Sequence, residues 1–218
     1  MQTPALPQHC PSQRELDDLE LLSVGALSPI VAFNEPGSPV TLTLPPPVAA
    51  AADAAGAVEL VDPEGLPLAR VTISGTDGWS VEPLTHAQYG PFRRYYLSPA
   101  HVRERYAGRT FVPVTDALTD VQIRAVRNLG PTVLLVLVGH GTPALSPVAL
   151  LRASLAIADV IDADVVAVPL ASHGNPDLDH ALGVQVAANY AGIDRVVGLQ
   201  EGGELPFEIA EIVEADRP

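Results

Sequence analysis

Hydrophobic positions in the first half of the chain form short runs that are separated by proline and glycine. Three of these runs have β-type composition, at residues 40–44, 58–61 and 68–73. Asp62-Pro63-Glu64-Gly65 separates the last two runs and has proline and glycine where a type I turn places them. These two runs are therefore predicted to form a hairpin within a small, mostly β domain over residues 1–115. The alanine-rich residues 49–55 fit either a short helix or a flexible loop.

The pattern changes at about residue 116 to strands that alternate with helices. Continuous apolar runs predict strands over 133–138, 165–168 and 195–198. Amphipathic spacing predicts helices over 118–129, 148–161, 178–190 and 207–215. Apolar strands joined by amphipathic helices are typical of a parallel sheet covered on both faces. Residues 116–218 are thus predicted to form a doubly wound parallel α/β domain.

The net charge of the chain argues against one class of binding partner, nucleic acid. The 218 residues include 26 acidic and 12 basic side chains, which gives a net charge of −14, and all of the basic residues are arginine. An acidic, lysine-free chain repels a phosphate backbone, so nucleic-acid binding is not expected. The absence of lysine also excludes Schiff-base chemistry and a P-loop lysine.

Cysteine content and hydropathy indicate the compartment. Cys10 is the only cysteine, which excludes an intrachain disulfide and a cysteine-rich zinc site. The most apolar run, residues 133–138, is far too short to span a bilayer, and the first residues show no apolar export signal. We expect a cytoplasmic protein without a membrane segment.

Several stretches of the chain resemble ATP sulfurylases, the sulfate adenylyltransferases that activate sulfate, and they occur in the order that the family has. Residues 15–33, ELDDLELLSVGALSPIVAF, resemble the opening signature of that family. Residues 58–69 are similar to the hairpin of its N-terminal PUA-like domain, and residues 169–179, 189–198 and 206–214 are similar to segments of its catalytic domain. The resemblance implies a PUA-like β domain over 1–115 and a nucleotidyltransferase-like α/β domain over 116–218, shortened at its C-terminus.

The reactive motifs of that family are replaced in this chain. The family's strand-end segment is Gln-x-Arg-Asn-Pro-x-His-x-x-His, whose Gln and Arg hold sulfate and whose histidines stabilise the α-phosphate. The matching positions here are Val138, His140, Ala144 and Pro147. The family's second motif, Gly-Arg-Asp-His-Ala-Gly, is matched by GLQEGG at residues 198–203. Because each lost charge-stabilising group typically costs about 10²- to 10³-fold in rate, little sulfurylase activity is expected.

A Gly-His-Gly turn follows the first strong strand of the α/β half. Gly139, His140, Gly141 and Thr142 lie where open α/β sheets bind their ligands, and Gly198 ends a later strand. The helix that begins near Pro147 points its free amides toward the same region, so a nucleotide or small anion is the expected ligand. An alternative is that the two glycines only shape a tight turn.

A second histidine follows the next strand and raises a metal hypothesis. His140, His173 and Asp179 would form such a site if they converge, although their spacing matches no established zinc motif. Residues 138–142, VGHGT, also resemble the strand-end histidine segment of tetrapyrrole metal chelatases. The simpler alternative is that Asp179 is an acid in the first turn of a helix.

One stretch of this acidic chain is basic. It contains Arg93, Arg94, Arg103, Arg105 and Arg109, with Tyr95 and Tyr96 beside the first pair. The stretch meets an anionic ligand, contacts the neighbouring domain, or only forms surface salt bridges, and the sequence leaves the three readings open.

Taken with the resemblance, these features predict an ATP sulfurylase-like protein associated with sulfate activation. We expect a non-catalytic or altered paralogue that binds a nucleotide or small anion, with ATP or adenylyl sulfate as the implied ligand and no cofactor that the residues themselves require. Its expected partners are that ligand and either another sulfate-activation protein or further copies of the chain. One alternative is an active sulfate adenylyltransferase or other nucleotidyltransferase that uses His140. The other is a metal-binding or chelatase-like protein.

Overall fold

The chain divides into two compact units, Met1–Gln88 and Tyr89–Pro218, and each unit contains its own sheet. The structure is a computed structural model, and it describes residues 6–73, 77–86, 90–142 and 144–216. The boundary between the units therefore follows residue 88, whereas the sequence predicted a boundary after residue 115. Strand Thr110–Val114 belongs to the second unit because it pairs with the second sheet.

A five-stranded mixed sheet forms the first unit, with the order β1-β3-β4-β5-β2. Its strands are β1 (Gln8–His9), β2 (Ala32–Phe33), β3 (Ala57–Val61), β4 (Pro67–Thr72) and β5 (Trp79–Pro83), and its helices are α1 (Gln13–Ser23) and α2 (Pro46–Ala55). The predicted hairpin is confirmed: β3 pairs antiparallel with β4, with Val58 opposite Val71. The alanine-rich segment is a helix that ends at Gly56 in a left-handed conformation.

The predicted strand over residues 40–44 is not a strand in the structure. Its backbone is bonded by side chains and by the backbone amide of Asn34, which donates to Val40 O at 2.9 Å, instead of by a neighbouring strand. The amide of Asn34 donates to Leu42 O at 3.0 Å and its Oδ1 accepts from Leu42 N at 3.0 Å. Thr43 N donates to Glu15 Oε1 at 2.8 Å. An apolar run predicts that its residues are buried, and Val40 and Leu42 are buried. They are buried without pairing with a strand, because other groups satisfy the backbone of this segment.

The expectation of a PUA-like first domain is wrong, because the structure does not show such a domain. The expectation depended on a hairpin at 58–69, and a hairpin is a local feature that many β folds share. In the observed sheet, that hairpin lies between the two-residue edge strand β1, which is parallel to β3, and strand β5, which is antiparallel to β4.

The second unit is an α/β unit with a parallel sheet. Its strands are β6 (Thr110–Val114), β7 (Thr132–Leu137) and β8 (Ala163–Val168), in the order β6-β7-β8. Residues 195–197 lie parallel to β6 on its other side, through Phe111 N to Arg195 O and Val197 N to Phe111 O, both at 2.8 Å. The strand predicted over 195–198 is therefore reduced to a single bridge. All six residues of β7 are buried, as the continuous apolar run predicts.

The helices of this unit are α3 (Pro99–Arg105), α4 (Asp120–Arg127), α5 (Pro147–Ile161), α6 (Pro176–Ala191) and α7 (Phe207–Asp216), after a 3-10 turn at Gly90–Tyr95. Helices α5 and α6 each begin after a capping residue that is followed by proline. The Oγ of Ser146 accepts from Ala149 N, and Asn175 Oδ1 accepts from Asp177 N and Leu178 N. In both helices a proline occupies the first turn, where its missing N–H costs nothing. No helix of the described residues is long and apolar enough to cross a membrane.

The winding of the chain leaves a crevice at one edge of the sheet. From β6 the chain moves outward through β7 to β8, and α6 then returns it to residues 195–197 on the other side of β6. Helix α5 packs on β7, β8, α4 and α7, whereas α6 packs on β6 and α3. Connections that leave neighbouring strands in opposite directions open a crevice at the carboxyl ends of the strands, where α/β proteins bind ligands.

Candidate functional site

A cavity of about 420 Å³ lies at this switch point in the second unit. It is bounded by the carboxyl ends of all three strands, by helix α6 and by the segment beside β6. The residues that line it are Pro113, Thr115, Leu137, Thr142, Leu170, Ala171, Asp179, His180, Gly183, Val184, Ala187, Ala188, Val196 and Gly198. We refer to this cavity as the α6 crevice.

The walls of the α6 crevice are mostly apolar and partly open to solvent. Val184 on α6 is 58% exposed, and Val196 beside β6 is 40% exposed. Gly183 leaves room between them, because a Cβ at this position would contact only Leu170, at 3.8 Å. Apolar surface that is concave and exposed, with a few polar groups beside it, is typical of small-molecule sites.

Asp179 supplies the carboxylate of the crevice and is held in one orientation. Its Oδ2 accepts from Ser172 Oγ at 2.7 Å and its Oδ1 accepts from His173 N at 2.8 Å. Burial acts to raise the pKa of Asp179, but the hydrogen bonds from Ser172 and His173 outweigh it and hold the pKa below its ordinary value. The group is therefore an acceptor at neutral pH, and it fixes the loop between β8 and α6.

The Gly-His-Gly turn is packed against that same loop. Ser172 N donates to His140 O at 2.9 Å, and Thr142 Oγ1 donates to Leu170 O. A Cβ at Gly139 would lie 2.0 Å from the carbonyl carbon of Leu170, so only glycine fits there. Gly141 has a φ of +74°, which an L side chain rarely adopts. The two glycines thus allow two strand-end loops to lie backbone against backbone.

The structure separates the residues that the sequence grouped. Thr142, Gly198 and Asp179 line the α6 crevice, whereas Gly139, His140 and Gly141 are not among its lining residues. A binding role for those three stays a prediction.

The metal hypothesis receives no support from the positions of the two histidines. The side chain of His173 is only 4% exposed and places Nδ1 3.5 Å from Asp179 Oδ1, whereas His140 is exposed. Within the described residues, no three histidine, cysteine or acidic side chains are grouped as metal ligands.

The sequence predicted that free backbone amides at the start of helix α5 bind an anion, but an internal carboxylate lies at this helix start. The carboxylate of Asp216, on α7, accepts from Ser146 N at 2.6 Å and also accepts from the Ser146 hydroxyl. The protein's own carboxylate therefore occupies the position where an external anion was expected.

Sequence reasoning missed the α6 wall of the crevice. Gly183, Val184, Ala187 and Ala188 follow the i, i+1, i+4, i+5 spacing that brings residues to one side of a helix. The sequence does contain a signal for this wall: Gly183 and Ala187 are small residues four positions apart, and Val184 lies next to the first. Small residues on one side of a helix leave room for a cavity between that helix and its neighbour.

Comparison with known proteins shows a similarity to a solved structure. No protein-family model and no curated protein sequence matches the chain. The chain is similar to a solved structure of a hexameric APS kinase from Thiobacillus denitrificans, with a TM-score of 0.68 and 24% sequence identity. The similarity covers 97% of this chain and 50% of that one, so the chain spans about half the length of the kinase it matches. At this identity the similarity establishes the fold alone.

These comparisons correct the resemblance to ATP sulfurylases drawn from the sequence, together with the nucleotidyltransferase-like designation of the second unit. The similar structure is a kinase, and no family model supports the assignment to ATP sulfurylases. Within the stretch 15–33, Glu15 has a local structural role, because it closes a capping box with Ser12 at the start of α1. Short segments with such roles constrain helix ends and turns, and they do not identify an activity.

Proposed function

We propose that this protein binds an adenine nucleotide, with the base and ribose in the α6 crevice. The observation that carries this proposal is a largely apolar cavity of about 420 Å³ at the carboxyl ends of a parallel sheet. The flat face of a heterocyclic base gains most from such walls, which Val184 and Val196 expose. Thr115, Thr142, Asp179 and His180 supply the polar contacts that would orient the base.

The charges around the crevice decide which part of the nucleotide is bound most strongly. Of the described residues that line it, Asp179 is acidic, His180 is a histidine and none is arginine. The whole chain carries a net charge of −14. Phosphate groups therefore gain little here, and the base and sugar account for most of the affinity.

The name of the similar structure suggests which nucleotides to test. That structure is an APS kinase, and APS is adenylyl sulfate, so adenylyl sulfate and ATP are the candidate ligands and sulfate activation is the proposed context. We propose binding without phosphoryl transfer, because the chain has no lysine and cannot form the lysine contact of a P-loop.

We also propose that the chain self-associates, since the similar APS kinase is hexameric. Sedimentation velocity measures the oligomeric state and tests this proposal.

Calorimetric titration with adenosine, ATP and adenylyl sulfate tests the proposed function. In Gly183→Leu the added side chain fills the crevice without a backbone clash, since the nearest heavy atom to a Cβ is 3.8 Å away. We expect this substitution to weaken binding at least about tenfold. Ala181→Leu is the matched control, because Ala181 is an exposed residue of α6 that does not line the crevice. Equal affinity in both variants would place the site elsewhere.

A further inference from the structure

A second cavity lies beside the amino-terminal end of strand β8, at the end of the parallel sheet opposite to the α6 crevice. It has a volume of about 290 Å³ and is lined by Arg94, Tyr95, Leu97, Arg105, Tyr106, Asp164 and Val165. Asp164 and Val165 belong to the amino-terminal end of β8, whereas the α6 crevice lies beyond the carboxyl ends of the strands. We call this second cavity the Arg–Tyr cavity.

The described lining of the Arg–Tyr cavity contains two arginines and one acidic residue. Its one acidic residue, Asp164, is already paired with the guanidinium of Arg109. Among the described residues, neither Arg94 nor Arg105 has a carboxylate within 4.0 Å. Both arginines are exposed, so a ligand can reach their guanidinium groups from solvent.

Aromatic rings hold both guanidinium groups in place. The Arg94 Cζ lies 4.8 Å from the centroid of the Tyr95 ring, and Arg94 Nη2 donates to the Tyr95 hydroxyl at 2.5 Å. The Arg105 Cζ lies 5.3 Å from the centroid of the Tyr106 ring. These contacts restrict both guanidinium groups, so less conformational entropy is lost when they bind a ligand.

We propose that the Arg–Tyr cavity binds a small oxyanion, namely a phosphate or sulfate group. The planar guanidinium fork of arginine matches two oxygens of such a group, and Arg94 and Arg105 provide two forks on one cavity. The Tyr95 hydroxyl accepts from Arg94, which leaves its own proton to donate to the anion. The site is independent of the proposed nucleotide crevice, since the two cavities share no lining residue.

Calorimetric titration with sodium phosphate and with sodium sulfate, at ionic strength held constant with chloride, tests this site. The double variant Arg94→Gln with Arg105→Gln should weaken the affinity at least about tenfold, because each fork forms charge-assisted hydrogen bonds. Arg93→Gln is the matched control: it removes one charge from the adjacent exposed position, outside the cavity. We expect it to change the affinity less than about threefold.

Three outcomes would overturn the proposal: no heat for either anion with the native protein, unchanged affinity in the double variant, or an equal loss in Arg93→Gln. A parallel titration with ribose 5-phosphate distinguishes the source of the group. If it binds as well as inorganic phosphate, the cavity accepts a phosphoryl group carried on a larger molecule, and if only the inorganic ion binds, the cavity is closed around it. Gly183→Leu should leave phosphate binding unchanged, so this test stands apart from the test of the crevice.

Discussion

The carboxylate of Asp216 accepts hydrogen bonds from both the backbone amide and the hydroxyl of Ser146, the residue that caps helix α5. This contact joins the last turn of α7 to the first turn of α5 across 70 positions of sequence. It places a negative charge at the positive end of the α5 dipole, where an anion is stabilised. The same contact removes that helix start from the set of positions at which a ligand anion can bind.

We therefore expect Asp216→Asn to lower the free energy of unfolding at neutral pH and to raise amide hydrogen exchange in α7. The hydrogen bonds from Ser146 hold the pKa of Asp216 below its ordinary value of 3.8. Since the folded pKa is the lower one, this stabilisation is present above the unfolded pKa and is lost as the pH falls through the folded pKa. Urea unfolding between pH 3 and pH 7 measures it. If Asp216→Asn unfolds identically across that range, the contact does not stabilise the protein.

Gly139→Ala should strongly destabilise the second unit. The added Cβ would lie 2.0 Å from Leu170 C and 2.3 Å from Ala171 N, and two strand-end loops would have to separate. We expect the free energy of unfolding to fall by about 3 kcal/mol, or the product to be insoluble, because the backbone atoms that the Cβ would contact cannot move aside as a flexible side chain could. Gly198→Ala is the control, because a Cβ there meets nothing within 4 Å. Similar stability of the two variants would contradict the described packing.

Glu15 should be the most sensitive acidic residue of the first unit. Its side chain is buried, and it accepts from Ser12 N at 2.8 Å, from Ser12 Oγ at 2.7 Å and from Thr43 N at 2.8 Å. Glu15→Ala is expected to cost about 2 kcal/mol, because it removes half of a capping box and leaves the amides of Ser12 and Thr43 without this partner. Glu64→Ala, at an exposed turn, should stay within about 0.5 kcal/mol of the native protein in the same urea titration.

The pH dependence of Glu15 follows from its contacts. Burial acts to raise the pKa of Glu15, but the hydrogen bonds from Ser12 and Thr43 outweigh it and hold the pKa below its ordinary value. Its contribution is therefore present above the unfolded pKa and is lost as the pH falls through the folded pKa. An equal effect of Glu15→Ala at pH 3 and pH 7 would show that the carboxylate does not act in its charged form.

Phosphoryl transfer from ATP to adenylyl sulfate should be absent. Phosphoryl transfer depends almost entirely on cationic groups and metal ions placed around the phosphates, and none of the described residues that line the α6 crevice is lysine or arginine. A coupled assay for ADP release, with a known kinase as the positive control, measures it. Turnover that scales with protein concentration and is lost in Gly183→Leu would show that the crevice catalyses this reaction.

Local signals in the sequence predicted the elements, and long-range contacts decided what they form. Ser146-Pro147 and Asn175-Pro176 identify two helix starts because a cap is a short-range interaction. The strand expected over 40–44 is absent because Asn34 and Glu15 satisfy its backbone, and no periodicity encodes that choice.

The candidate site was predictable in part, for the same reason. Thr142 and Gly198 follow strand ends and do line the crevice, since strand ends of a parallel sheet share one edge. The wall that α6 contributes depends on how closely that helix packs against β6. Likewise, the cap of α5 by Asp216 and the packing of Gly139 on Leu170 join residues far apart in sequence, so neither can be read from spacing.

A nuclear magnetic resonance titration of the ¹⁵N-labelled protein with adenylyl sulfate tests nucleotide binding in the α6 crevice most directly. Saturable shifts of the backbone amides of Thr142, Gly183, Val184 and Gly198, with little change at Ala149 in the first turn of α5, are the expected result. Shifts that cluster away from helix α6, or no saturable shift at millimolar ligand, would contradict the account.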